Sequence, residues 1–255
     1  MRRTDLQGIY VMWLREMKRF IRAKSRIVAT IVQPLFFLFI LGFGLMGASF
    51  PGMQGNYIHF LAPGIVTMAI MFSSMFTGVS VLWDKQFGFL QEVLVAPISR
   101  LAIIIGRTIG GATTALIQGF IILAIALTLG VSIGSFSGFI ITIMMMVLIS
   151  FTSVGFGLIV ASKMEDFHGF QLIMNLIILP LFFLSSAFFP ITDSLPFWLK
   201  TVSFANPLLY MVDGVRGAMT GMNSLLPPLV DLGIIFLVCV VVMGLGTYFF
   251  SKTES

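Results

Sequence analysis

The sequence predicts an all-α integral membrane protein with six transmembrane helices. Of its 255 residues, 58% are hydrophobic and only 10% are charged, whereas a typical soluble domain carries about 25% charged residues. Several apolar runs reach the roughly 20 residues that a helix needs to cross a hydrocarbon core about 30 Å thick. The charges are also segregated, because residues 27–83 and 108–162 contain no Asp, Glu, Lys or Arg. We therefore expect residues 1–255 to form a single transmembrane domain.

The first element is a strongly basic segment, residues 1–26, whose apolar residues recur at offsets of three and four. Leu6, Ile9 and Met17 share one helical face, and most charges lie opposite. This pattern favours an amphipathic helix in the membrane interface, with its basic face toward anionic headgroups, over a solvated basic tail. The residues expected to hold the helix there are Trp13, Arg15, Arg19 and Arg22.

Six apolar runs follow as predicted spans: 27–46, 57–82, 108–130, 139–161, 170–188 and 229–250. The third run is rich in glycine and alanine, which let helices pack closely. No run carries a charge in its middle, which argues against ion- or proton-coupled carriers. The runs also lack the nucleophile–base pairs and metal ligands of intramembrane hydrolases. No G-x-x-x-x-G-K-[ST] motif occurs, so the chain is not expected to bind nucleotide phosphates or to be an enzyme.

Residues 189–228, between the last two spans, differ from the rest of the chain. They contain several prolines and charged residues, yet Leu208, Val212 and Met219 keep a helical spacing. We interpret this segment as short amphipathic helices that enter the outer leaflet without crossing it.

The basic residues predict the orientation. Six spans place both termini on one side, together with residues 83–107 and 162–168. All Lys and Arg except Lys200 and Arg216 then lie on that side. Cytoplasmic loops carry an excess of Lys and Arg, so we expect both termini to be cytoplasmic.

The central loop, residues 83–107, is the most informative polar stretch. An apolar face on a short helix is predicted from Phe87, Leu90, Val93 and Leu94, and Pro97 ends that helix, because proline disfavours helix at the preceding residue. Asp84 and Glu92 are expected to supply polar contacts. Such a face meets either lipid, as a plain interfacial loop, or a partner protein.

Taken in order, these segments resemble the membrane subunits of type-2 ATP-binding-cassette exporters, such as the permeases for daunorubicin resistance and for nodulation-factor and polysaccharide export. The resemblance covers essentially the whole chain. Besides the basic N-terminus, it rests on HFLAPGIVTMAIMFSSMF at 59–76, FGFLQEVLVAPISRLAIIIGR at 87–107 and NPLLYMVDGVRGAM at 206–219.

The resemblance implies roles for three segments. Residues 84–98 correspond to a coupling helix that docks on a separate ATP-binding subunit, and residues 1–26 contain the interfacial connecting helix. Residues 189–228 correspond to outer re-entrant helices. We expect an outer gate there formed by Asn206, Pro207, Tyr210, Asp213 and Arg216.

The resemblance also implies the assembly. Two copies of the permease, expected as a homodimer in a prokaryotic cell membrane, would stand above two ATPase subunits. ATP and Mg would bind to those subunits, with no cofactor on this chain and no nucleic acid as a partner. Drug, lipid and lipid-linked glycan remain open as substrates. The alternatives are a channel or passive carrier that needs no ATPase, and a membrane-embedded scaffold.

Overall fold

The computed structural model describes residues 3–48, 50–51, 53, 55–87, 98–192, 195–222 and 224–253. These residues form helices joined by short turns, without a strand in the described ranges. In chain order the helices are α1 Arg3–Arg22, α2 Lys24–Gly44, α3 Tyr57–Gln86, α4 Arg100–Thr128, α5 Phe136–Lys163, α6 Phe167–Phe183, α7 Phe197–Ala205, α8 Pro207–Thr220 and α9 Pro228–Thr253.

Five of these helices, α2, α3, α4, α5 and α9, are long and apolar enough to cross a membrane. They coincide with five of the six predicted spans, which confirms a multi-pass, all-helical membrane protein. The remaining predicted span, 170–188, corresponds to α6, an apolar helix of only 17 residues. At 1.5 Å per residue, α6 is about 25 Å long, shorter than a hydrocarbon core of about 30 Å.

Helix α3 is the centre of the fold. In its most apolar stretch 89% of the residues are buried, against 22% in the corresponding stretches of α2 and α9. It packs against α2, α4, α5, α6 and α8. The outer faces of α2 and α9 carry exposed Phe, Leu and Val side chains, as expected for helices with a lipid-facing side.

Helix α1 lies directly on α4, where glycines allow a close approach. A Cβ at Gly106 would stand 2.7 Å from the Cβ of Met12, and one at Gly110 would stand 2.8 Å from the Cβ of Glu16. The expectation that small residues in this span bring helices close together is therefore confirmed. The partner at Gly106 and Gly110 is the N-terminal helix.

Helix α6 ends earlier than the apolar run that predicts it. The chain leaves the helix after Phe183, and Ser186 adopts a left-handed conformation with φ of 57°. The segment that follows contains two short helices, α7 and α8, as expected for residues 189–228, and their entry into the outer leaflet stays a prediction. Asn206 separates them and caps α8, because its side-chain oxygen accepts a hydrogen bond from Leu208 N.

Candidate functional site: a clasp at the central loop and a cleft beside it

A buried charge cluster joins α1, α3 and α4 next to the central loop. Arg15 donates two hydrogen bonds to the Asp84 carboxylate, at 2.8 and 2.6 Å, and Arg107 donates a third at 2.6 Å. The guanidinium of Arg19 lies 3.5 Å from Asp84. Bidentate arginine–carboxylate pairs are among the strongest hydrogen-bonded contacts in proteins. Three arginines therefore hold one carboxylate at the end of α3.

The cluster continues through one hydroxyl. Arg19 donates to Ser80 Oγ at 2.7 Å, and Ser80 Oγ donates to Glu16 Oε1 at 3.0 Å. Ser80, Glu16 and Asp84 are all buried. The charges thus satisfy one another inside the protein, where an unpaired charge would be costly.

Helix α1 also holds the other end of the central loop. The carboxylate of Asp5 accepts a hydrogen bond from Ser99 N at 2.9 Å, immediately before α4. Gly8 lies against the side chain of Ile98. Because Asp84 and Ser99 flank residues 85–98 of this loop, α1 contacts the chain on both sides of that segment. We call this arrangement, formed by Asp5, Arg15 and Arg19 with their partners, the α1 clasp.

These contacts correct two expectations about individual residues. Asp84 was expected to offer a polar contact to a partner, but its side chain is 3% exposed and is occupied by the arginines of this chain. Arg15 and Arg19 were expected to face headgroups, but they turn inward because a buried carboxylate attracts them more strongly than water-screened charges do. Of the other two interfacial residues, Trp13 donates to Thr113 Oγ1 at 3.3 Å, and Arg22 is exposed.

The apolar residues Leu6, Tyr10 and Ile21 of α1 are exposed, as a face in contact with lipid requires, and the interfacial position of α1 stays a prediction. A different, mixed stripe of the helix is buried, and its residues Met12 and Glu16 pack on α4. That stripe comprises Asp5, Gly8, Met12, Glu16 and Phe20. Its polar residues are Glu16, which bonds Ser80 of α3, and Asp5, which bonds Ser99 just before α4. Hydrophobic periodicity alone does not predict such polar contacts.

The central loop is only partly described. Phe87, at the end of α3, is 80% exposed, so its ring is free to contact a partner or lipid. The other residues expected in the coupling helix lie outside the described residues: Leu90, Glu92, Val93, Leu94 and Pro97. Their role in docking stays a prediction.

The predicted outer gate contains a second buried cluster, centred on Arg216. This side chain is 1% exposed and donates to Phe60 O at 3.2 Å, to Ser186 Oγ at 3.0 Å and to Ser186 O at 2.7 Å. Its guanidinium also lies 3.9 Å from the centre of the Phe60 ring. The early end of α6 explains this site, since it exposes the Ser186 carbonyl as an acceptor.

Asp213 pairs only loosely with Arg216, at 3.9 Å. Its main partners are the backbone N–H groups of Leu225 and Leu226, at 2.7 to 3.0 Å. Burial raises the pKa of the Asp213 carboxyl, against the lowering effect of these N–H groups and of Arg216. Both side chains are 1% exposed, so this contact is buried and is not screened by solvent.

The remaining predicted gate residues join neighbouring helices. Asn206 donates from Nδ2 to Leu181 O at 2.7 Å, near the end of α6. Pro207 is the first residue of α8, and Tyr210 donates from its hydroxyl to Phe204 O at 2.7 Å. These contacts hold α7 and α8 as one unit against α6.

A cleft lies between α2, α3 and α6. Its mouth, a cavity of about 320 Å³, is lined by Arg19, Arg26 and Trp83 among others. A second cavity of about 290 Å³ continues from it and shares Phe76 and Phe167 with the mouth. Amide side chains line this inner part: Gln33, Gln171 and Asn175.

Several of these features were missed from the sequence. Arg107 was assigned to the loop but lies within α4 and is 1% exposed. Asp231, at the start of α9, is completely buried next to Asp213. Both residues lie beside a long apolar run in the sequence, and this was the signal that could have identified them. A charge next to a membrane helix is often buried, and a buried charge needs a partner. In the part of the chain that the structure describes, no group of three or more His, Cys, Asp or Glu residues is placed to hold a metal ion.

Comparisons with known proteins agree with this architecture. A family model described as ABC-2 type transporter matches residues 7–220. The inner membrane transport permease YadH of Escherichia coli is 27% identical over 214 residues, covering 83% of this chain and 82% of YadH. The ycf38 protein of Cyanophora paradoxa is 28% identical over 214 residues, covering 83% of this chain and 73% of that protein.

A further relative is Nodulation protein J of Sinorhizobium fredii, 28% identical over 200 residues, covering 77% of this chain and 75% of that protein. The family is one of membrane transport components without catalytic activity of their own. The match runs from within α1 to the end of α8 and includes the cleft, Arg216 and all of the clasp except Asp5. The chain therefore belongs to the ABC-2 type transporter family and is a multi-pass membrane permease.

Proposed function

We propose that this chain is the membrane subunit of an ATP-driven exporter and that a separate ATP-binding subunit docks on residues 84–98. The observation that supports this proposal best is the α1 clasp. A displacement of the central loop is passed directly to α1, α3 and α4, because Asp84 and Ser99 are both bonded to α1. A loop without such bonds would absorb the movement by bending.

The exposed side chain of Phe87 supports the same proposal. An aromatic ring that is 80% exposed at the end of a long helix is a suitable anchor for a protein interface. The apolar residues that follow in the sequence, Leu90, Val93 and Leu94, extend this character along the loop.

Under this proposal α6 is the fifth of six spans, and both termini and the central loop are cytoplasmic. The segment with α7 and α8 lies outside, where Arg216 and its partners act as a gate. Two copies assemble with two ATPase subunits. ATP hydrolysis on those subunits then moves the permease halves between inward- and outward-open states.

The test is co-purification of the tagged permease with its ATPase, together with measurement of transport-stimulated ATP hydrolysis. Glu92→Arg should weaken assembly by roughly tenfold to a hundredfold, since losing a charge-assisted contact costs about 1.5–3 kcal/mol. Leu90→Asp should be more severe, because it puts a charge on the apolar docking face. Glu165→Gln, which removes an acidic side chain from an exposed turn, is the matched control. Normal assembly and coupling in both loop variants would contradict the proposal and favour a channel or passive carrier.

A further inference from the structure

We propose that the cleft between α2, α3 and α6 binds an amphiphile that carries an oxyanion headgroup such as a phosphate. In this arrangement Arg26 holds the headgroup at the mouth, Arg19 adds positive charge beside it while staying bonded in the α1 clasp, and the acyl chain lies against α3. The binding does not require a motor subunit; only its use as transported cargo rests on the proposed function.

The mouth of the cleft provides a positively charged pocket with aromatic walls. The guanidinium of Arg26 lies 5.3 Å from the centre of the Phe76 ring, and that of Arg19 lies 5.6 Å from the centre of the Trp83 ring. Arg26 makes no ion pair with an acidic side chain of the described residues. Arginine binds oxyanions through a planar fork of N–H donors, and ring stacking orients that fork. The mouth therefore favours an anion over a neutral or cationic group.

The inner part of the cleft changes from charged to hydrogen-bonding and apolar. Gln33 lies seven residues beyond Arg26 on α2, about 10 Å along the helix axis. Across the cleft, Gln171 and Asn175 stand one turn apart on α6. All three side chains are exposed and make no side-chain hydrogen bond within the described part of the chain.

Exposed amides are costly next to hydrocarbon, because they lose hydrogen bonds to water without replacement. Three of them converging on one cleft indicate that a polar group or water occupies it. The back wall on α3, with Phe72, Met75 and Val79, is apolar. From the mouth inward, the cleft therefore presents a site for an anion and then a set of amide groups, and the apolar wall of α3 runs beside them. This order matches an amphiphile with a charged head, a hydrogen-bonding linkage and an acyl chain.

The size and shape of the cleft agree with such a ligand. Cavities of about 320 and 290 Å³ share three residues and form one continuous space, and small-molecule sites begin at about 300 Å³. Helices α2 and α6 pack against α3 rather than extensively against each other. The cleft is therefore open between them, and a membrane amphiphile can enter sideways.

The test uses the permease alone, purified in a neutral maltoside detergent and titrated with dodecyl phosphate. Native mass spectrometry counts the adducts on each chain. We expect one dodecyl phosphate per chain and much weaker binding of inorganic phosphate. Arg26→Gln should weaken dodecyl phosphate binding by roughly tenfold to a hundredfold, the effect of losing one hydrogen bond to a charged group. Lys24→Gln removes the same charge from an exposed neighbouring position and should leave binding unchanged.

A second pair of variants tests where the acyl chain of the amphiphile lies. Ala29 is exposed and lines the cleft, so Ala29→Phe should block the acyl chain without removing a core contact. Val28→Phe adds the same ring beside the cleft and is its control. The proposal is overturned if inorganic phosphate binds as tightly as dodecyl phosphate, if Lys24→Gln and Arg26→Gln weaken binding equally, or if Ala29→Phe has no effect. Failure of ATPase docking would change none of these readings.

Discussion

Replacing Asp84 with Asn tests whether the α1 clasp is built on one carboxylate. The change keeps the shape of the side chain and removes the charge that three arginines share. Arg107 is 1% exposed and cannot reach water, whereas the side chains of Arg15 and Arg19 are 26% and 25% exposed. Leaving a buried partner uncompensated costs about 3–5 kcal/mol. The partly exposed side chains of Arg15 and Arg19 add only about 0–1 kcal/mol each, because solvent screens their charges.

The assay is thermal unfolding in detergent, followed by tryptophan fluorescence. A protein of this size loses about 2–4 °C of Tm per kcal/mol, so a total cost of about 3–7 kcal/mol should lower the Tm by roughly 6–28 °C. Glu165→Gln, the exposed control, should have the same Tm as the wild type. In the double variant Asp84→Leu, Arg107→Met, both buried charges are absent, and most of the lost stability should return, since apolar replacements of buried ion pairs are often neutral. An unchanged Tm for Asp84→Asn would refute the reasoning, as would a double variant no more stable than the single one.

Three further predictions concern topology and the outer cluster. In a variant without the native cysteine, single cysteines at Gln86 and Thr201 should react with impermeant thiol reagents from opposite sides of the membrane; reaction from one side would contradict the six-span arrangement. Arg216→Lys should lower both Tm and protein level, because one ammonium cannot bond Phe60 O and both Ser186 acceptors as the guanidinium fork does; full stability of this variant would show that the fork is dispensable. Asp231→Asn should leave Tm unchanged or raise it, because Asp231 is completely buried next to the Asp213 carboxyl and the neutral amide removes the repulsion between two buried like charges, and a large decrease in Tm would indicate an essential charge.

The spans were predictable because they depend on composition over long windows. A long run without a charge, such as 108–162 with its two predicted spans, indicates membrane helices whatever contacts those helices make in the folded protein. The glycines of the third span also predicted that it packs closely against other helices. Helix boundaries were less accurate. The apolar run at 170–188 continues beyond the end of α6, because the chain turns at Ser186, whose hydroxyl and carbonyl both bond Arg216.

The clasp was not predictable because it depends on contacts between distant residues. Arg15 and Asp84 are 69 positions apart, and nothing in either segment alone identifies the other as its partner. Helical periodicity assigned Arg15 to a basic face turned toward lipid headgroups, since it treats charged residues as outward-facing. The docking face of the central loop comes from local pattern and family resemblance, and its residues from Leu90 to Pro97 lie outside the described residues.

The short length of α6 has a consequence for the surrounding bilayer. If α6 crosses the membrane as proposed, its roughly 25 Å fall about 5 Å short of the hydrocarbon thickness. Lipids beside it must thin or tilt, at a cost of fractions of a kcal/mol per Å of hydrophobic mismatch. Helix α3, with 30 residues, forms the opposite wall of the cleft and imposes no such thinning. On this proposal the bilayer is thinned beside α6, and the thinned zone adjoins the cleft, where a polar headgroup would have the shortest distance to travel between the two leaflets.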